Sequence, residues 1–379
     1  MKYNIYADNA ATTAMYPEVA EMMRAYFVDD FYNPSAIYRQ ASRIRRQLKG
    51  AREKIAKQIG ALPEEIFFTS GGSEADNWSL KGFVSANGKD VRILTSQIEH
   101  HAVLNTCDYL ENKGYNVTRL PVSHAGIVDL PVYNSLIYSS KEPLLISIML
   151  VNNETGSIQP IRDMALRSKQ TIAAFHTDAV QAMGHIPIDV NKLQVDMLSA
   201  SAHKFHGPKG MGFLYVRRGT KIAPLIHGGA QENGMRAGTE NIAGIVGMAK
   251  ALEISCKNMQ RDRCHIARLR ETFLRTMQES SCDYIVNEAE NNIEGTISLS
   301  LKGCNAEMIA NRLDLLGIAI ATGSACNSYD TELSSVIKAL HIPLEYALGT
   351  VRISFGSDNT PEEAVIVARE IVKIADEMC

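Results

Sequence analysis

The chain has little of what would place it in a membrane, on nucleic acid or around a metal. Its apolar run Leu144 to Val151 is eight residues, broken only by Ser147. A spanning helix needs about 18, so this run reads as a buried strand and no membrane partner is expected. Lysine and arginine total 39 against 42 acids, a net charge of −3. No basic field is present to hold nucleic acid. The seven cysteines are odd in number and no two form Cys-x-x-Cys, which argues against a disulfide framework and a zinc ribbon. Ten histidines show no His-x-x-x-His spacing, so no metal site is expected. The N-terminal residues Met1 to Asp8 carry no apolar signal core, and a cytoplasmic location is the expectation. Repeats, low-complexity tracts and long linkers are also missing.

What is present is length and alternation. A chain of 379 residues is long enough for two domains with sizeable cores. Strand-like and helix-like segments alternate, which predicts an α/β fold. Strands are expected at Ile66–Thr69, Val91–Thr95, Leu144–Val151, Thr171–His176, Met197–Ala200 and Gly212–Val216. Several are continuously apolar, as suits strands covered on both faces. Near Ala251 the pattern changes to a long helix with Ile266, Leu269, Phe273 and Met277 on one face. Thr296–Leu301 and Val351–Phe355 read as strands of a smaller unit. Thr360, Pro361 and Glu363 open a final helix as N-cap, first helical residue and capping box. The expected division is a large α/β domain over 15–255, with 1–14 and 256–379 forming a smaller α+β domain.

Six segments have the residue types for chemistry. In Thr69-Ser70-Gly71-Gly72-Ser73-Glu74 a glycine turn leads into a helix whose free N–H groups suit a phosphate, though a plain structural turn reads the same way. Lys204 follows an apolar strand in a loop with Ser201 and His203; a half-buried amine there suits a Schiff base. Lys209, between proline and glycine, is the competing lysine, and a solvated surface role is open to either. Asp178 ends a strand at the side where α/β proteins bind ligands. It can pair with a ring nitrogen or cap a helix, with Gln181 three residues on. His100 or His101 can stack on an aromatic ring and exchange protons. Cys326 lies in Gly/Ser/Asn-rich text, where a thiol can move to a bound substrate or be inert. Arg352, inside an apolar strand, needs an anion, either a substrate carboxylate or an internal partner.

Together with Tyr6–Thr13, Val151-Asn152-Asn153-Glu154-Thr155-Gly156 and Arg236-Ala237-Gly238-Thr239-Glu240-Asn241, these segments resemble the cysteine desulfurases. These are a branch of the class V aminotransferases with the fold-type-I architecture of enzymes that use pyridoxal 5'-phosphate (PLP). The resemblance covers nearly the whole chain. It implies a large, mainly parallel mixed sheet and a smaller C-terminal α+β domain. It also implies that Lys204 holds PLP covalently, that Asp178 pairs with the pyridine nitrogen, and that Gln181 reaches the ring hydroxyl. His100 would stack on the ring and act as acid/base. Gly72, Ser73, Ser201 and His203 would hold the phosphate, with Thr239 reaching it from the partner subunit of a homodimer. Asn153 would lie beside cofactor and substrate, and Arg352 would bind the substrate carboxylate with Asn33 nearby.

The implied reaction takes sulfur from L-cysteine as a persulfide on Cys326 and releases L-alanine. The persulfide would pass to an iron–sulfur scaffold or to tRNA thiolation. Ala36, Tyr38, Ala230 and Ala237 depart from the usual family residues, which bears on substrate-side detail and the sulfur acceptor. A transaminase, a lyase of related substrates and a catalytically silent docking scaffold are the rivals. Cys326 speaks against the first, and the Lys204, Asp178 and His100 set against the last.

Overall fold

In a computed structural model, residues 2–322 and 333–378 are described. Cys326, with its segment 323–332, lies outside the described residues.

The apolar strands form a seven-stranded sheet. In chain order they are β1 (Ile66–Thr69), β2 (Arg92–Ser96), β3 (Asn116–Leu120), β4 (Leu144–Ser147), β5 (Ala173–Asp178), β6 (Met197–Ser201) and β7 (Gly212–Val216). Their spatial order is β1-β7-β6-β5-β4-β2-β3. The run from β6 through β3 is parallel, and β7 enters antiparallel between β6 and β1. Every residue of β4, β6 and β7 is buried, as suits strands whose text is apolar or small in a sheet covered on both faces. The eight-residue run Leu144 to Val151 divides. Leu144–Ser147 stays in the sheet, while Met149 leaves it and its N–H donates to the Glu99 carboxylate at 2.9 Å.

Helix α1 (Gly72–Asn87) packs on one face through Trp78, Leu80 and Phe83, and α2 (His101–Asn112) joins it through Val103 and Cys107. The other face carries a larger core that includes Ile44, Ile55, Phe175, Phe205 and Phe213. Helix α3 (Ile242–Gln278) starts earlier than its C-terminal stripe suggests and runs for 37 residues. Its first half packs into the large core, and Leu269, Phe273 and Met277 pack into a second one.

That second core lies under an antiparallel sheet of β8 (Tyr284–Val286), β9 (Thr296–Leu301), β10 (Ala321–Thr322) and β11 (Thr350–Ser354), ordered β10-β11-β9-β8. Ile5–Tyr6 pairs in parallel with Ile318–Ala319 beside it. The chain's first residues then cross to the large sheet's ligand edge, where Thr13 N–H bonds to the His203 carbonyl at 2.9 Å. Helix α4 (Pro361–Asp376) has the expected capping box between Thr360 and Glu363. No helix among the described residues is long and apolar enough to cross a membrane.

Candidate active site

The C-terminal ends of parallel strands, together with the loops that follow them, line one cavity of about 360 Å³. β5 delivers Asp178, the turn after β6 delivers Lys204, and the loop after β2 delivers Glu99 and His100. β11, from the second sheet, delivers Arg352. Strand termination at one edge puts these side chains around a common space, as it does for ligands in open α/β sheets.

At one end sits the glycine turn. Gly71 has φ +154° and opens α1 at Gly72, whose unpaired N–H groups and dipole favour an anion. A Cβ on Gly72 would come within 2.7 Å of Val180, and one on Gly212 within 2.7 Å of the Gly71 backbone. The turn is packed this closely only because both positions lack side chains. Ser73, Ser201 and His203 line the cavity with it. His203 Nδ1 is 3.2 Å from the Thr12 hydroxyl, and burial followed by the charges of Lys204 and Lys209 lowers its pKa to about 4.

Lys204 is half-buried, whereas Lys209 is exposed. The Lys204 Nζ donates to the carbonyls of Ala10 at 2.5 Å and Ala11 at 2.8 Å. Burial, reinforced by Arg352, pushes its pKa down to about 8, against the opposing charges of Asp178 and Asp8. Asp178 is buried, and its Oδ1 accepts from the Val180 N–H at 2.8 Å. That is the local turn expected of a capping aspartate, and it leaves the residue in the cavity wall. Burial raises its pKa; His100, the Val180 N–H and Lys204 oppose. Gln181 reaches across to the Ala10 carbonyl at 2.9 Å.

His100 caps α2, its Nδ1 accepting from the Ala102 N–H at 3.0 Å. Desolvation, then Lys204 and His101, hold its pKa below the usual histidine value, and Asp178 pulls the other way. Of the two sequence readings of Arg352, the internal partner is present. The Arg352 Nη2 donates to Asp8 at 2.8 Å and its Nη1 to the Asn153 carbonyl at 2.9 Å. Its buried Nε has no partner among the described residues, so the guanidinium has capacity left for a further anion.

The structure therefore brings Lys204, His100, Asp178, Gln181, Gly72, Ser73, Ser201, His203, Asn153 and Arg352 to one cavity. Asn33 and Thr239 are exposed and do not line it. Three acids in its wall were not singled out from sequence: Asp76, Glu99 and Glu154. Asp76 had a signal, because it stands four residues after Gly72 and so shares a helix face with it. Glu154 accepts from the Ser334 hydroxyl at 2.7 Å, and burial pushes it up to about 7. Among the described residues no cluster of three metal-ligating side chains occurs.

A large sheet with its ligand edge closed by a lysine, an aspartate and an arginine from a second sheet defines a class of enzyme, and the chain belongs to the class V aminotransferase family, whose pattern matches residues 5–367. Within that family it is similar to "Cysteine desulfurase IscS" of Dictyoglomus turgidum, 46% identical over 96% of this chain and 92% of that one. It is similar also to "Cysteine desulfurase NifS" of Azotobacter vinelandii, 38% identical over 99% and 93%. Among solved structures, a "NIFS-like protein" superposes with a TM-score of 0.92 at 37% identity, covering 99% of this chain and 100% of that one. One described as "SspA in complex with cysteine" gives 0.81 at 35% identity, covering 94% and 100%.

Proposed function

We propose that this protein is a PLP-dependent cysteine desulfurase that converts L-cysteine to L-alanine and carries the sulfur as a persulfide on Cys326. The observation that carries the reading is the convergence of the half-buried Lys204 amine with Asp178, His100 and Arg352 on one cavity. The relatives named as cysteine desulfurases support it.

The residues present fit the cofactor. The Gly71–Gly72 turn offers helix N-terminal N–H donors for a phosphate, Asp178 is a buried carboxyl for a ring nitrogen, and Lys204 is an amine with a lowered pKa. PLP, when bound, supplies an electron-accepting ring for bonds broken next to the substrate's amine-bearing carbon. Lys204 would hold it covalently and afterwards move protons at Nζ, a task suited to a pKa near 8. Asp178 would keep the ring nitrogen protonated, and Gln181 would meet the ring hydroxyl. His100 would cover the ring and exchange protons through Nε2. Ser73, Ser201 and His203 would complete the phosphate cradle, with Thr239 added by the partner of a homodimer.

Arg352 would bind the substrate carboxylate, oriented by Asp8, with Asn153, and Asn33 as the family resemblance implies, on the substrate's side. The Cys326 thiolate would bond to the substrate's sulfur as its carbon–sulfur bond breaks. The sulfur would stay as persulfide, and the three-carbon remainder would take up a proton and leave as alanine. The persulfide would then pass to an acceptor such as an iron–sulfur scaffold, in the cytoplasm. We further infer that the chain divides into 15–255 and a unit of 1–14 plus 256–379, which the separate packing of the second core supports.

The test is alanine formed from L-cysteine by the purified protein. Lys204→Ala should lose the visible absorption band along with turnover. Cys326→Ser should keep the band and lose sulfide release by at least about a hundredfold. Full activity in Cys326→Ser would end the sulfur-transfer reading.

A further inference from the structure

Asp76 lies one helical turn beyond Gly72 on α1 and points into the same wall. It is 1% exposed, and its Oδ1 has no hydrogen-bond partner among the described residues. Facing it on β5 are His176 and Asp178, two residues apart and so on the same side of the strand. His176 does not supply the missing bond. Its Nε2 is 3.7 Å from Asp76 Oδ1, and its two ring nitrogens are 2.9 Å from the hydroxyls of Ser147 and Ser199. Burial keeps that ring neutral, with a pKa down to about 3.

The cavity's other ionisable groups are Glu99 and His100 from the loop after β2, His101 at the start of α2, Glu154, His203, Lys204 after β6 and Arg352 on β11. Glu99 is tied to the Ser96 hydroxyl at 2.5 Å and the Met149 N–H at 2.9 Å, and burial pushes it up to about 8. Asp178 has the support of His100, Lys204 and the Val180 N–H. Asp76 has only the Ser199 hydroxyl against burial and the charges of Asp178 and Glu99, and its pKa rises well above the usual carboxyl value. Two neighbouring buried carboxyls cannot both ionise without a counter-charge, so the proton rests on Asp76.

The geometry points to Asp76 as a positioning residue: a neutral carboxylic acid that holds Asp178 in place and leaves it the one anion presented to the cofactor's ring nitrogen. This rests on the PLP reading above.

The experiment compares wild type, Asp76→Asn and Asp76→Ala, each with and without PLP. The amide mimics a neutral acid in shape and donor capacity. Asp76→Asn should keep PLP affinity and the pH midpoint of the visible band close to wild type. Asp76→Ala should bind PLP about tenfold more weakly, the effect of one buried hydrogen bond, and shift that midpoint. The cofactor-free proteins give a second readout. An acid held neutral keeps a proton that the unfolded chain releases above about pH 4. Wild-type stability therefore drops as pH rises, and the melting-temperature gain of Asp76→Asn over wild type should grow from pH 5 to pH 8.

An Asn variant as impaired as the Ala variant would show that the charge is needed and overturn the proposal. So would two variants both indistinguishable from wild type in affinity and spectrum, or a melting difference that shrinks with pH. Failure of the wild type itself to take up PLP would overturn the functional reading and this role with it.

Discussion

Lys204 is held in the cavity wall by the carbonyls of Ala10 and Ala11, groups that accept from an ammonium or an amine alike. Its lowered pKa therefore comes from burial and from Arg352. The sign of its effect on stability follows. The folded chain releases the proton near pH 8, the unfolded chain near 10.4. The unfolded state thus binds more protons between these values, and the penalty of a buried ammonium, present in full below pH 8, fades as pH rises. Lys204→Met should stabilise the cofactor-free protein below pH 8, by on the order of 1–2 kcal/mol once the lost hydrogen bonds are counted. The gain should vanish toward pH 10.5, as read by denaturant unfolding across that range. Lys204 was legible in sequence because it follows an apolar strand in a loop with Ser201 and His203, whereas Lys209 lies between proline and glycine. Asp76 and Glu99 were not, because their meaning depends on which neighbours lack a counter-charge, and that is set by strands distant in the chain.

Elements were legible in proportion to how much of their own stability they encode. Gly212–Val216 falls where continuous apolar text put it, since a strand buried on both faces has to be apolar throughout. Asn116–Leu120 escaped notice. It lies at the sheet edge with only Leu120 buried, so neither an alternating nor a continuous pattern marks it. Ile5–Tyr6 and Ile318–Ala319 are two residues each and exist through their mutual pairing, which no local propensity reports. The last helix was the most readable, because its start is written in side chains. The Thr360 hydroxyl accepts from the Glu363 N–H at 3.2 Å, and the Glu363 carboxylate accepts from the Thr360 N–H at 3.0 Å. Thr360→Ala should cost about 1 kcal/mol, seen as a lower urea midpoint at unchanged slope. The cofactor band should stay as it is, because α4 packs into the second core and not the cavity.

At the scale of the molecule, Thr239 is the residue whose place within one chain leaves most to a partner. It lies outside the Lys204 cavity, exposed, yet the segment that carries it is pinned. Arg236 grips Glu74 at 2.9 and 3.0 Å, and Arg52 grips Glu232 at 2.8 and 2.6 Å, each by two parallel contacts. Such pairing gives fixed geometry, and Glu74 belongs to the first turn of α1, so the segment is anchored on the phosphate cradle's own helix while its tip faces outward. In a two-fold dimer that tip would serve the other subunit's cavity. Thr239→Asp would then place a carboxylate against the partner's cofactor phosphate and silence that site, while Lys204→Ala silences its own. Mixing the two inactive variants and allowing subunit exchange should restore activity. Random pairing makes about half the dimers hybrid, each with one intact site, so about a quarter of wild-type turnover returns. Mixtures that stay silent after exchange, verified by tagged subunits, would show that Thr239 does not serve the partner's site.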